Sequence, residues 1–289
     1  MTNIRKPEAA LSPSTFPLRF LERVRMTTFK PGLVLAWLVI LLALAWAIAP
    51  SLFTGHNPLQ GDPAQKLQGP SWDHWMGTDI FGRDLFARVV YGSVNSVTGA
   101  ALAVGLGLTV GTFFGVVAGS SVRAVDDLIM RLVDVLLAIP NILLSLTFII
   151  LFGPGNISVA VAVGVSSIAI FARLARSEVV RVRRSDYVEA AFGSGGSFRS
   201  VLWRHVLPNS LTSVVALSAL QFGSAILAIA ALGFLGYGAP PPTPEWGLLI
   251  AEGRNFVAVA WWLSTLPGVI VLALVLATNR VSQSIRGEE

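Results

Sequence analysis

Six long apolar runs separated by short polar islands dominate this chain, and each meets or approaches the roughly 20 residues a helix needs to cross a ~30 Å hydrocarbon layer. They cover 33–53, 94–120, 128–152, 157–176, 210–235 and 257–281. The fourth ends in Arg173 and Arg176, which must snorkel toward headgroups. The pattern predicts an all-α polytopic membrane protein with about six transmembrane helices. Its expected parts are an N-terminal segment (1–32), a first transmembrane helix (33–53), an outer loop with an interfacial helix (54–93), a five-helix core (94–281) containing a polar loop (177–209), and a tail (282–289). Ala47-Ile48-Ala49 has the look of a signal-peptide cleavage site. The basic segment before it is too long, the apolar run exceeds a normal h-region and Pro50 follows directly, so the first span is read as retained.

Composition strengthens the membrane reading and narrows the chemistry. Hydrophobic residues make up 54% of the 289 and charged ones 13%, against about a quarter charged in soluble domains. With no cysteine there is no disulfide, thiolate ligand or cysteine nucleophile. The net charge of +5 is explained by its distribution across a membrane rather than by nucleic acid. With the N-terminus inside, only Lys66, Arg83, Arg88 and Arg254 of the 21 basic residues face out, and the positive-inside rule then makes both termini and the 177–209 loop cytoplasmic. The only lysines, Lys6, Lys30 and Lys66, lack the flanking Gly and Ser/Thr of a P-loop, so the chain cannot cradle ATP itself. His56, His74 and His205 show no metal-ligand spacing, and no nucleophile–base set is evident, so neither a metal site nor a catalytic residue is expected.

Several local patterns carry more specific expectations. In the polar loop, 186–192 forms a short helix whose Ala190 and Ala191 allow close approach of another protein, and Gly195 and Gly196 supply the positive φ of a reversal. Ser197 caps a second helix over 198–207, and Pro208 stops it. In the outer loop, Thr78 or Asp79 caps an amphipathic helix in which Asp84 and Arg88 pair at i,i+4, with Trp72 and Trp75 at headgroup level. Gly107, Gly111, Gly115 and Gly119 recur every fourth residue, a bare helix face suited to packing within the chain or against another subunit. Arg131 can pair with Asp127 or Asp134, and Pro140 kinks the third span. Asn141 and Ser145, and Ser218, Gln221 and Ser224 on one face of the fifth span, are candidates for a polar pathway; helix–helix hydrogen bonding is the even alternative.

Two groups of residues resemble a known family. Tyr187, Glu189, Ala190 and Ala191, followed at fixed spacing by Gly195 and by His205, Leu207, Pro208 and Asn209, resemble the "EAA" loop of ATP-binding-cassette (ABC) importer permeases. His74, Gly77, Thr78, Asp79, Gly82, Arg83 and Asp84 resemble the H-x-x-G-T-D-x-x-G-R-D signature of the dipeptide, oligopeptide and nickel branch. Met130 to Asp134 with Ala138-Ile139-Pro140, and Leu232 to Gly236 with Pro241, Pro242, Pro244, Trp246 and Gly247, are similar to later motifs of that branch and to its C-type subunit. The stretch from Asn279 to Arg286 departs from the branch's usual ending. The resemblance implies a type I importer permease fold in a bacterial inner membrane, without cofactors of its own. It implies a heterodimer with a homologous second permease and two ABC ATPase subunits that bind ATP and Mg2+. An extracytoplasmic substrate-binding protein would deliver peptides or, alternatively, nickel or a metal chelate. A secondary transporter or passive channel would need no ATPase and would be expected to show an internal repeat with charged intramembrane residues, which is not evident.

Overall fold

A computed structural model describes residues 30–286. The N-terminal basic residues Arg5, Lys6, Arg19, Arg23 and Arg25 and the last residues of the tail lie outside them. Among the described residues ten α-helices follow one another: α1 (Pro31–Ile48), α2 (Leu85–Ser120), α3 (Arg123–Ala138), α4 (Asn141–Phe152), α5 (Asn156–Arg183), α6 (Asp186–Gly193), α7 (Phe198–Val201), α8 (Leu207–Phe234), α9 (Trp246–Gly253) and α10 (Trp262–Arg286). Five helical runs, α1, α2, α5, the joined α7–α8 run and α10, are long and apolar enough to cross a membrane; α3 and α4 together make a sixth, broken one. The chain is a multi-pass membrane protein.

The core is built on α2 and α5, the most extensively packed pair. The glycine row explains why they approach so closely. A Cβ on Gly111 would stand 2.5 Å from the Ile168 carbonyl oxygen, and one on Gly115 2.5 Å from that of Ala172. Gly107 and Gly119 meet Ser167 and Val179 of the same helix. Small residues let helices pack where lipid supplies no hydrophobic drive, so this face is a seam within the chain. Helix α8 packs against α2, α5 and α10 and completes the core. Helix α1 is largely exposed apart from Ala36, Ala43 and Trp46, and Ala36 clusters with Ala277 and Val281 of α10.

Four expectations change. Pro140 does more than kink the third span: α3 and α4 meet at 93°. Pro140 cannot donate a helical hydrogen bond and biases Ile139 to extended backbone, and Ile139 has φ −90° and ψ 128°. The interfacial helix of the outer loop does not form, because α2 begins at Leu85 and runs 36 residues without interruption. Pro208 does not stop a helix. The turn before it, Leu202–Val206, is a π-helix, and Leu207 N–H donates to Leu202 O. That wider turn accommodates the proline, and helix continues into α8. Finally, 282–286 is the last turn of α10 rather than a tail, with buried Ser282 donating to Ala216 O at 3.0 Å.

Candidate functional site

Two clusters at opposite ends of the α2–α5 pair hold most of the singled-out residues. The first is the polar connection from α5 to α8. Val188 of α6 is buried with Val179 and Val182 of α5, Val201 of α7 and Val206. This apolar knot fixes α6 to the ends of two long helices. Its reversal behaves largely as expected: Gly195 has φ +87°, and Gly196 N–H returns to Ala191 O at 3.0 Å. Gly196 itself is not at positive φ. Ser197 Oγ accepts from Ser200 N–H at 3.4 Å as the cap of α7. The outward side of this element shows Tyr187, Glu189, Ala190, Phe192, Phe198 and Trp203 exposed, with Pro208 and Asn209 exposed beyond them. His205 and Leu207 are half-buried. An exposed carboxylate among aromatic rings on a rigid two-helix support suits docking of another protein.

Nearby charges also pair differently from expectation. Asp126 takes both Arg176 Nε at 3.0 Å and Nη2 at 2.6 Å, and Asp134 pairs with Arg173. Asp127 meets Arg123 at 3.7 Å, both well exposed. Arg131 has no carboxylate partner among the described residues. Arg173 and Arg176 therefore neutralise α3 carboxylates instead of only snorkelling, and these pairs bind the broken third span to α5.

The second cluster is at the start of α2. Gly77 and Gly82 have φ +76° and +74°, and between them Asp79 is a saturated acceptor. Its Oδ1 takes Phe81 N–H at 2.8 Å and Arg83 N–H at 3.0 Å; its Oδ2 takes Arg83 Nε at 2.6 Å and Arg88 Nη1 at 2.7 Å. Arg88 reaches onward to Glu252 Oε2 of α9, 3.0 Å from its Nη2 and off the hydrogen-bond line. Asp84, rather than Thr78 or Asp79, caps α2, accepting from Ala87 N–H at 2.7 Å. It pairs with His74 at 2.8 Å and not with Arg88. Thr78, Asp79, Arg83, Asp84 and Arg88 are all buried. Removing one member of the buried Asp79–Arg83–Arg88 set leaves the others uncompensated, so that set fixes the mouth of α2 rather than offering free charges to a ligand. Trp72 and Trp75 remain exposed.

Sequence reasoning missed Glu245. It is 1% exposed and caps α9, accepting from Gly247 N–H at 2.8 Å, Leu248 N–H at 2.9 Å and Ser96 Oγ of α2 at 3.1 Å. Burial pushes its carboxyl above the usual range, against the opposing pull of those three donors. Gly233 lies under this carboxylate, where a Cβ would collide with Oε2. Trp246, fully buried, donates Nε1–H to Val89 O at 2.9 Å. Glu245 caps α9 with a residue outside the usual Ser/Thr/Asp/Asn set, so the helix-start rules gave no signal for it. Glu252 had no local signal, because its partners lie more than 160 residues earlier.

The pathway candidates separate. Ser145 is buried and 3.2 Å from Ser166 Oγ, a link between α4 and α5. Gln221 is buried, Ser218 is half-buried with its hydroxyl returned to Val215 O, and Ser224 and Asn141 are exposed. Ser224 and Gln221 thus do not share one exposed face.

Comparison with known proteins agrees with this architecture. Residues 111–285 match the family described as binding-protein-dependent transport system inner membrane component. The chain is similar to the dipeptide transport system permease protein DppC of Alkalihalophilus pseudofirmus, 39% identical over 88% of this chain and 83% of that one. It is also similar to the probable D,D-dipeptide transport system permease protein DdpC of Escherichia coli, 36% identical over 87% and 84%. Among solved structures, the crystal structure of an amino acid ABC transporter with histidines aligns with a TM-score of 0.57, covering 71% of this chain and 95% of that one at 14% identity, a likeness of fold alone.

Proposed function

The chain belongs to the family of binding-protein-dependent transport system inner membrane components and is a permease subunit of an ABC importer, and from that premise we propose that its cargo is a short peptide. The curated relatives named for dipeptide transport support the peptide reading over a nickel or metal-chelate cargo. The observation that carries the mechanism is the exposed α6 element held by the valine knot to both α5 and α8.

In this mechanism the chain is a transport subunit without catalytic residues. Two ATPase subunits supply ATP and Mg2+ sites and seat α6 in a cleft on the cytoplasmic side. Tyr187, Glu189, Ala190 and Ala191 form the seat, and Gly195, His205, Leu207 and Pro208 shape the turn and its return to α8. When the ATPases close, α6 displaces the ends of α5 and α8 together, because the knot leaves no slack between them. The seam of Gly107 to Gly119 carries that displacement to α2. The buried Asp79–Arg83–Arg88–Glu252 set keeps the far end of α2 rigid against α9. Cargo from a binding protein crosses between this chain and a homologous second permease, along a path to which exposed Asn141 and Ser224 and half-buried Ser218 contribute polar groups.

Reconstituting the chain with its second permease, ATPases and binding protein tests this reading. ATP-dependent uptake of a labelled dipeptide is expected, suppressed by other unlabelled dipeptides and not by nickel or its chelates. Suppression by a nickel chelate alone would replace the peptide reading.

A further inference from the structure

The segment that follows α1 folds back over the mouth of α2 and brings two histidines together that are 18 positions apart in the chain. One ring nitrogen of His56, one of His74 and a carboxylate oxygen of Asp84 lie within 4.8 Å of one another. The His56 and His74 rings are 5.4 Å apart at their centroids. Sequence spacing gave no hint of a ligand set here, because the approach is made by the fold and not by a helix or turn.

The hydrogen bonding of His74 holds its ring between Gln65 and Asp84. Its Nε2 is 2.9 Å from Gln65 Oε1 and its Nδ1 2.8 Å from Asp84 Oδ1. A neutral imidazole has one N–H. With Nδ1–H donated to Asp84, Nε2 accepts from the Gln65 side-chain amide, and with an ion at Nδ1 the other tautomer donates Nε2–H to Gln65 Oε1. A metal ion would use all three groups.

We propose that His56, His74 and Asp84 bind a divalent transition metal ion of the zinc class. Two imidazoles and one carboxylate suit such an ion better than Mg2+ or Ca2+, which favour all-oxygen shells. Two of the ligands are already oriented: Asp84 by its Oδ2 bond from Ala87 N–H at 2.7 Å, and His74 by Gln65, an outer partner of the kind that fixes ring tautomers. Bonds of about 2.0–2.1 Å in a tetrahedron put ligand atoms ~3.4 Å apart, so His74 Nδ1 and Asp84 Oδ1, in contact at 2.8 Å, open by about half an ångström and exposed His56 moves in by a shift on the order of 1 Å. His56 and Asp84 line a cleft of about 220 Å3, with room for water in the fourth position. The bound ion staples the segment after the first span to the cap of α2. This inference is independent of the cargo.

The full chain, purified in detergent with an affinity tag free of histidine, is titrated with Zn2+ against a chromophoric chelator. One ion per chain is expected. His56→Ala, a change on an exposed segment, is expected to weaken binding at least about tenfold, His56→Asp to recover part of it, and His205→Ala to leave it unchanged. Absence of Zn2+ binding by the parent chain overturns the proposal. Equal binding by His56→Ala and the parent, loss of binding in His205→Ala, or displacement of Zn2+ by Ca2+ at similar concentration each overturns it as well.

Discussion

At the scale of single residues, the glycines of α2 differ sharply although they look alike in sequence. Gly111 faces backbone of α5, where a Cβ would be 2.5 Å from Ile168 O and 2.7 Å from the Phe171 Cβ, whereas Gly105 has nothing within 4 Å. Backbone cannot swing aside as a side-chain tip can, so the two helices must separate to admit even one methyl group. Overpacking of this kind costs about 1–3 kcal/mol. Gly111→Ala is therefore expected to lower the thermal midpoint of the purified chain and its accumulation in the membrane. Gly105→Ala should match or slightly exceed the parent, since alanine also favours helix. Equal melting of the two variants would mean that the α2–α5 seam does not hold the fold. The four-residue period was legible in the sequence, but which helix it met was not, because periodicity marks a face and never its partner.

At the scale of elements, the connection between α5 and α8 was the most legible part of the chain. The short helix over 186–192, the positive φ at Gly195 and the Ser197 cap all follow from local chemistry, and all three are present. The Pro208 stop failed for a reason that local rules do not contain: a π turn ahead of the proline lets helix pass through it. The outer motif failed in the same way, since Asp79 and Asp84 found partners through a folded loop rather than along a helix. Nothing lies within 4 Å of a Cβ on Gly195, so Gly195→Val meets no clash, and its cost, at least roughly 1–2 kcal/mol, is the backbone strain of a β-branched residue at φ +87°. Glu189 is exposed, and Glu189→Lys reverses its charge without disturbing the valine knot. Both variants should reach the membrane at normal levels and lose most ATP-dependent uptake, with weaker retention of the ATPases in the purified complex. Full uptake by both would remove α6 from the coupling path.

At the scale of the whole molecule, the hydrophobic pattern predicts about six crossings, and the structure resolves them as five uninterrupted runs and one broken at Pro140. Their sidedness rests on charge. The α5–α8 connection and the ends beside it gather Arg173, Arg176, Arg181, Arg183, Arg184, Arg199 and Arg204, while the start of α2 holds only Arg83 and Arg88, both buried in ion pairs. A transmembrane segment whose flanking loops differ this much in Lys and Arg orients with the basic side inward. Reporter fusions at Gly55, between α1 and α2, and at Thr243, between α8 and α9, are therefore expected to read outside, and a fusion at Ser194 to read inside. Gly55 and Ser194 are both exposed, so a reporter at either leaves the packed core intact. The broken third span makes this more than a formality. If α3 and α4 together did not cross, the number of crossings between Gly55 and Ser194 would change from odd to even, and the two reporters would fall on the same side. Opposite readings require that the 93° pair crosses once and that α6 lies where ATP is; matching readings would recast α3–α4 as a re-entrant hairpin and separate α6 from any cytoplasmic motor.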